Sequence, residues 1–512
     1  MYDALSNITI VLLASTVIAF IFFRQGQFWR QVNDLFSYPF HYYLVRRYPI
    51  KASSNGRPIP TCPYRWPNGQ GDVAKFQEGE KNSEEWGRAY GRVYRIWSGM
   101  TPEVVVKDAA DVEAIFKDSD KHSKATNNDA GWLMGELLGK CLGLISGTEY
   151  RKLKDITNLS FTHKRASTYL TRIEKITEHH FENVFTAARM QHGTIDPVAD
   201  LRKLPFWIVA DIIYGDQLSA ELKGRLERLT KLRESLWTRM IQGGLTRSSW
   251  SQYLPTKTIG NLKKFKEEWA RFNQEAYENC KLTKAQAAIV HMYEGVEDGS
   301  VEREKALHTI DEMLFANLDV TMGGISWNLL FLAAHQDVQK QIRQEIKQAR
   351  DSRTADHTWN NYIQNSSTLL AASILESSRL KPLAAFTVPQ SAPTDRLVSG
   401  FLVPAGTNFI VDTYALNIKN PYWGSDRETY RPSRFLNRKP TEMRYQFWRF
   451  GFGPRQCLGK FIVDIIIRVL IAHLVENYNL HLASTTNWKK DSASWILHPD
   501  TKVRCEKIRT DT

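Results

Sequence analysis

Cysteine is scarce in this chain, and acidic residues are outnumbered by basic ones. The five cysteines (Cys62, Cys141, Cys280, Cys457 and Cys505) are odd in number, scattered and without metal-site spacing. That argues against a disulfide framework and for a reducing compartment. After the first seventy residues no Pro-, Gly- or Ser-rich linker interrupts the chain, and no internal repeat or low-complexity tract occurs. A single large domain is therefore expected, although 512 residues would suffice for more than one. Zinc-finger spacing, an RNA-recognition motif and a dense basic tail are also missing. The net charge of +13, from 68 basic and 55 acidic residues, thus points away from nucleic acid and leaves an anionic membrane or an acidic protein partner.

A long hydrophobic run occurs near the amino terminus. Ile8 to Phe23 is almost continuously apolar and extends back to Ala4, just enough for a bilayer-spanning helix of about 20 residues. Asp3 precedes it, no lysine or arginine does, and Arg24 and Arg30 follow. A cleavable signal usually carries a basic leader, so residues 1–24 are read as a single-pass transmembrane anchor. The flanking arginines put the body on the cytosolic side of an endoplasmic-reticulum-type membrane. The acceptor patterns at Asn158-Leu159-Ser160 and Asn365-Ser366-Ser367 would then go unused. Residues 25–67 are read as linker and hinge, because Pro58, Pro60, Pro63 and Pro67 stiffen the backbone and remove donors. Residues 68–512 form the main body.

That body reads as mainly α with a small β portion. Apolar residues recur at helical spacing through Ser167 to Met190, Ala220 to Ile241 and Asn261 to Tyr293. Short β-type runs follow at Thr387 to Val388, Phe401 to Val403, Asn408 to Val411, Tyr478 to Leu482 and Val503 to Glu506. Met313 to Gly324 reads as a buried helix, and its paired glycines suggest close approach of another body.

The segment Phe450-Gly451-Phe452-Gly453-Pro454-Arg455-Gln456-Cys457-Leu458-Gly459 places one cysteine on a glycine-braced loop. A thiolate bound to haem iron must stay anionic while shielded from water. Glycines let backbone N–H groups approach the sulfur, Phe450 can cover one side, and Arg455 can pair with a haem propionate. This loop resembles the Phe-x-x-Gly-x-Arg-x-Cys-x-Gly signature of the cytochrome P-450 family, matching Phe450, Gly453, Arg455, Cys457 and Gly459. The resemblance implies the cytochrome P-450 fold and heme b with Cys457 as the iron ligand. It also implies electrons from NADPH through a flavoprotein reductase. Arg438, Lys439, Arg444, Arg449 and Lys460, close to Cys457 in sequence, would suit docking of such an acidic partner, or simply form a solvated basic surface.

Other segments extend the resemblance to about residues 60 to 505. Glu376 and Arg379 match the family's Glu-x-x-Arg helix, and Arg434 matches its Pro-x-Arg-Phe element, with Ser433 where glutamate is common; the three would form a buried triad. Tyr150 and Lys154 stand where a tryptophan and an arginine reach a haem propionate, and an exposed basic helix face is the alternative. The distal pattern Ala/Gly-Gly-x-Asp/Glu-Thr is broken here. Asp319 is present and would help deliver protons, but Asn317 replaces a glycine and Val320 the threonine. Thr321 could hold the missing water together with Asn317, or the two could merely satisfy each other. The resemblance implies substrate contacts from Trp132 to Leu138, Ala316 to Gly324, Leu383 to Val388 and Ser494 to Leu497.

The implied activity is insertion of one oxygen atom from O2 into a lipophilic molecule. Pro67-Asn68-Gly69-Gln70-Gly71-Asp72 and Asn317-Leu318-Asp319-Val320-Thr321 are similar to fungal members that tailor secondary metabolites, the latter to those acting on cyclic dipeptides. Val320 keeps open a haem-thiolate isomerase, dehydratase or oxidative coupling enzyme. A haem-binding protein without turnover is the remaining alternative.

Overall fold

Apolar spacing along Ala220 to Ile241 becomes one helix, Ala220–Gln242, started by the Ser219 hydroxyl accepting the Leu222 N–H. The computed structural model describes residues 27–186, 193–351, 355–436, 438–483, 487–492 and 494–508. The apolar run from Ile8 to Phe23 lies outside them. Among the described residues no helix is long and apolar enough to cross a membrane. The stretch Asn261 to Tyr293 divides into Lys257–Leu282 and Ala288–Glu297, separated at Lys284, whose φ of 53° cannot continue a helix. Similarly, Ser167 to Met190 falls on His163–Thr168 and Leu170–Thr186, with its last four residues outside the described ones.

The β portion lies in three small sheets. The largest has five strands in the order Val93–Ser98, Thr101–Val106, Asn408–Val411, Gln390–Ser391 and Ser123–Lys124. Its first two strands form an antiparallel hairpin from Val93↔Val106 to Ser98↔Thr101, and the second pairs in parallel with Asn408–Val411. Because Val93–Ser98 is buried at every position, it lacks the in-out alternation that marks a half-exposed strand. Near Thr387 to Val388 the strand is Gln390–Ser391 instead, while the Thr387 N–H donates to the Val411 carbonyl at 3.1 Å. The proline-rich segment lies against the sheet edge. The Cys62 N–H donates to the Arg95 carbonyl, and the Arg95 N–H to the Pro60 carbonyl, both at 2.8 Å. Prolines remove donors but leave carbonyls, and intervening residues supply the N–H groups.

The helix Arg303–Ala334, 32 residues long, runs through the core and packs against Lys203–Tyr214, Leu369–Leu380 and Lys460–Asn477. Ile310, Leu314, Met322 and Ile325 on it have no exposed surface. The expected close approach is at Gly323, where a Cβ would lie 2.6 Å from Leu383 Cδ2 and 3.1 Å from Ile496 Cγ2. Gly324 instead borders a cavity.

Candidate active site

One side of this long helix faces a cavity of about 1020 Å³, with Cys457 across from it. Ligand pockets usually span roughly 300–1,000 Å³, so this one has room for a prosthetic group together with a substrate. The accessible surface of Cys457 faces the cavity while protein surrounds the residue. Burial pushes its thiol pKa up, opposed by the Gly459 N–H and the Lys460 charge. The Cys457 N–H donates to the Phe450 carbonyl at 2.9 Å, which closes the loop. Gly453 holds φ at 67° beside Ser119, whose Oγ would be 2.2 Å from an added Cβ, so only glycine fits there. Ser119 donates to the Phe452 carbonyl at 3.0 Å and fastens the loop to the neighbouring chain.

Basic groups gather at one edge of the cavity. Arg455 lies over the Tyr150 ring, 3.7 Å from its centroid, and donates to the Ile145 carbonyl at 2.9 Å. Tyr150 and Lys154 both donate to the Pro454 carbonyl, at 3.1 and 3.0 Å. Lys124, which the sequence reading missed, also borders the cavity. Burial and then the Arg455 charge lower its pKa to about 8. Half-buried cations gathered at one cavity edge call for anions. A haem, with two carboxylates at one edge and iron to be bound by a thiolate, suits this donor set.

The loop is braced from behind. Glu376 and Arg379 form a two-pronged ion pair at 2.8 and 2.9 Å, and Arg434 Nε adds a third contact at 3.2 Å. All three side chains are fully buried. Arg379 also donates to the Asn417 carbonyl at 3.0 Å. Asn417, overlooked in the sequence, pairs with the Trp448 backbone: its amide donates to the Trp448 carbonyl at 2.8 Å and its oxygen accepts the Trp448 N–H at 2.9 Å. The triad is thus linked by hydrogen bonds to the approach to the cysteine loop.

On the long helix, Asp319 is enclosed by donors. Oδ1 accepts from Arg202 Nε at 2.8 Å and Oδ2 from Trp495 Nε1 at 2.9 Å. Thr321 donates to Asn317 Oδ1 at 2.9 Å, and the Asn317 amide donates to the Met313 carbonyl at 2.6 Å. Asn317 and Thr321 therefore satisfy each other and the helix, while both, with Val320, still border the cavity. All four expected contact segments contribute to the lining, through Met134, Ala316, Leu383 and Trp495 among others.

The basic residues near Cys457 divide. Lys439 and Arg444 are exposed, whereas Arg449 pairs with Asp464 at 2.6 Å and Lys460 donates to Gln456 at 2.8 Å. Arg438 lies over the Tyr422 ring at 4.6 Å.

The family model described as Cytochrome P450 matches residues 60–505. Cytochrome P450 monooxygenase aclC of Aspergillus oryzae is 51% identical over 474 residues, covering 92% of this chain and 96% of that protein. Cytochrome P450 monooxygenase asaD of Aspergillus flavus is 44% identical over 493 residues, covering 96% and 94%. A solved zebra fish cytochrome P450 with abiraterone aligns with TM-score 0.66 at 16% identity, over 84% of this chain and 100% of that one. This last likeness speaks for the fold alone.

Proposed function

This chain belongs to the cytochrome P450 family, an oxidoreductase of monooxygenase type, and on that footing we propose that it oxidises a lipophilic small molecule in a tailoring step of fungal secondary metabolism. Haem b would be held by Cys457, and electrons would come from NADPH through a flavoprotein reductase. The observation that carries this reading is the Cys457 thiol facing a large cavity whose edge gathers Arg455, Lys154 and Lys124. When bound, haem supplies dioxygen activation, which a thiolate ligand favours by donating electron density.

The protein's own groups have definable tasks. Cys457 is the ligand, and Phe450 and the Gly459 N–H shield its sulfur. Arg455, Tyr150, Lys154 and Lys124 take up the propionate charge. Apolar lining from Leu138, Ala316, Val320 and Leu383 excludes water and selects lipophilic substrates. Asp319, fixed by Arg202 and Trp495, would hand protons onward, with Thr321 or ordered water in place of the alcohol that Val320 lacks. The substrate we infer is a cyclic dipeptide, in line with the similarity of the Asn317 to Thr321 segment to members that act on such compounds. The relatives' fungal origin supports the biosynthetic setting. An anchor at 1–24 would hold the body on the cytosolic face of the endoplasmic reticulum. Protease protection in microsomes tests that placement, since a resistant body would overturn it.

A second reading draws on Val320 and on the donors that occupy both oxygens of Asp319. A haem-thiolate isomerase or dehydratase needs no proton supply to oxygen, and an oxidative coupling enzyme, which releases both oxygen atoms as water, leaves none in its product. Metabolite profiling with and without the enzyme identifies the accumulating precursor. Product formation that depends on NADPH and reductase, with one oxygen gained from O2, supports monooxygenation; product without that gain favours the second reading.

A further inference from the structure

The long helix carries another carboxyl group, that of Glu312, two turns before Asp319. Glu312 borders the cavity, yet its carboxyl lies deep within protein. The Gly143 N–H donates to its Oε2 at 2.9 Å, and the Cys141 thiol is a second donor. Gly143 is what makes room for it: a Cβ there would come within 1.9 Å of Glu312 Oε1. Burial pushes the Glu312 pKa up, and the Gly143 N–H and Cys141 thiol oppose it by favouring the carboxylate. A carboxylate offers about four acceptor positions, so two donors leave acceptor capacity unused beside the cavity.

Its surroundings favour one kind of ligand. Leu142 and Ala316, which also border the cavity, supply no donor side chain. Lys124 and Arg455 act on Glu312 electrostatically, but neither forms an ion pair with it among the described residues. A neutral donor completes the carboxylate without the desolvation cost that a cation would carry into a largely apolar cavity. Asp319 has less capacity, because Arg202 places both Nε and Nη2 on its Oδ1 and Trp495 holds Oδ2.

We propose that Glu312 anchors the substrate by accepting a hydrogen bond from a neutral donor, an amide N–H, on an otherwise lipophilic molecule. This rests on the haem-thiolate oxidation of a cyclic dipeptide argued above. A buried acceptor in an apolar wall discriminates strongly, since an analogue lacking the donor leaves it unpaired. Positioned this way, the anchor also fixes which carbon of the substrate faces the reacting centre.

The test uses the haem-loaded protein and two probes, a benzyl-substituted piperazine-2,5-dione and its N,N′-dimethyl derivative. Affinity is read from the change in haem absorbance and from calorimetry. Glu312→Gln keeps an oxygen to accept the Gly143 N–H but offers the ligand a donor in place of a second acceptor. The native protein should bind the N–H probe about tenfold to a hundredfold more tightly than the dimethyl probe. E312Q should lose that preference by weakening the N–H probe alone, with an unchanged unfolding midpoint. Equal loss for both probes, no loss for either, or no preference in the native protein overturns the anchor. Failure of both probes to bind overturns the amide class and the anchor with it. A native reduced carbon monoxide complex without a thiolate signature would instead overturn the underlying haem-thiolate reading.

Discussion

Cys457→Ala should abolish the thiolate signature in the absorption spectrum of the reduced carbon monoxide complex, because no other cysteine borders that part of the cavity near the long helix except Cys141, whose thiol is engaged with Glu312. A retained signature would remove Cys457 as the ligand. Thr321→Val tests a different demand. Its hydroxyl proton is committed to Asn317, but its lone pairs can still hold water. Oxygen consumption should rise relative to product, and unchanged coupling would take Thr321 out of proton delivery. At this scale the sequence was most legible where chemistry compels a residue type, as at Cys457 and Arg455. Glu312 and Lys124 were not legible, since their importance lies in neighbours more than a hundred residues away. Asp319 was visible as an acid, but its partners Arg202 and Trp495 come from distant segments that spacing does not connect.

Between elements, the informative unit is the buried salt-bridge knot and its extension. Arg379→Ala should cost about 3 to 5 kcal/mol in denaturant unfolding, because it leaves Glu376 short of its principal cation inside the protein. Asn417→Ala removes two hydrogen bonds to Trp448 and should cost on the order of 1 to 3 kcal/mol. It should also shift the reduced carbon monoxide complex toward a form without thiolate ligation on warming; a purely global loss of stability would argue against a local brace. Glu376, Arg379 and Arg434 could be gathered from family resemblance. The hairpin Val93–Ser98 and Thr101–Val106 escaped notice because burial on both faces erases period-two alternation. The break after Leu282 escaped because a positive φ at Lys284 leaves no mark on hydrophobic spacing.

Across the whole molecule, charge is distributed in two ways. Lys439 and Arg444, the latter lying over the Tyr445 ring, are the exposed members of the basic group and the ones placed to meet an acidic flavoprotein. Reversing both to glutamate should slow reductase-supported turnover and weaken its salt dependence, while leaving dithionite reduction unchanged. A second set is buried where the sheet meets the segments around it: Lys75 lies 3.2 Å from Glu103 and 3.4 Å from Asp72, and Asp129 accepts from Asn408 at 2.7 Å. Burial and then the Glu103 charge raise the Asp129 pKa to about 7. The folded state therefore holds that proton more tightly than the unfolded chain does. Its contribution is fully present below about pH 3.9 and is lost as pH rises toward 7. Asp129→Asn should flatten the fall in unfolding midpoint between pH 5 and 8, and an unaltered profile would assign that slope to other groups.

The connection from Arg379 through Asn417 to Trp448 gives this protein a clock. A haem ligated by Cys457 would be released as the cysteine loop loosens, and that loop is held by hydrogen bonds that run from its base to a sealed ionic cluster. The residence time of the cofactor in warm solution should consequently follow how often the cluster opens, so pigment loss would register a breach hidden on the far side of the chain well before the helices melt.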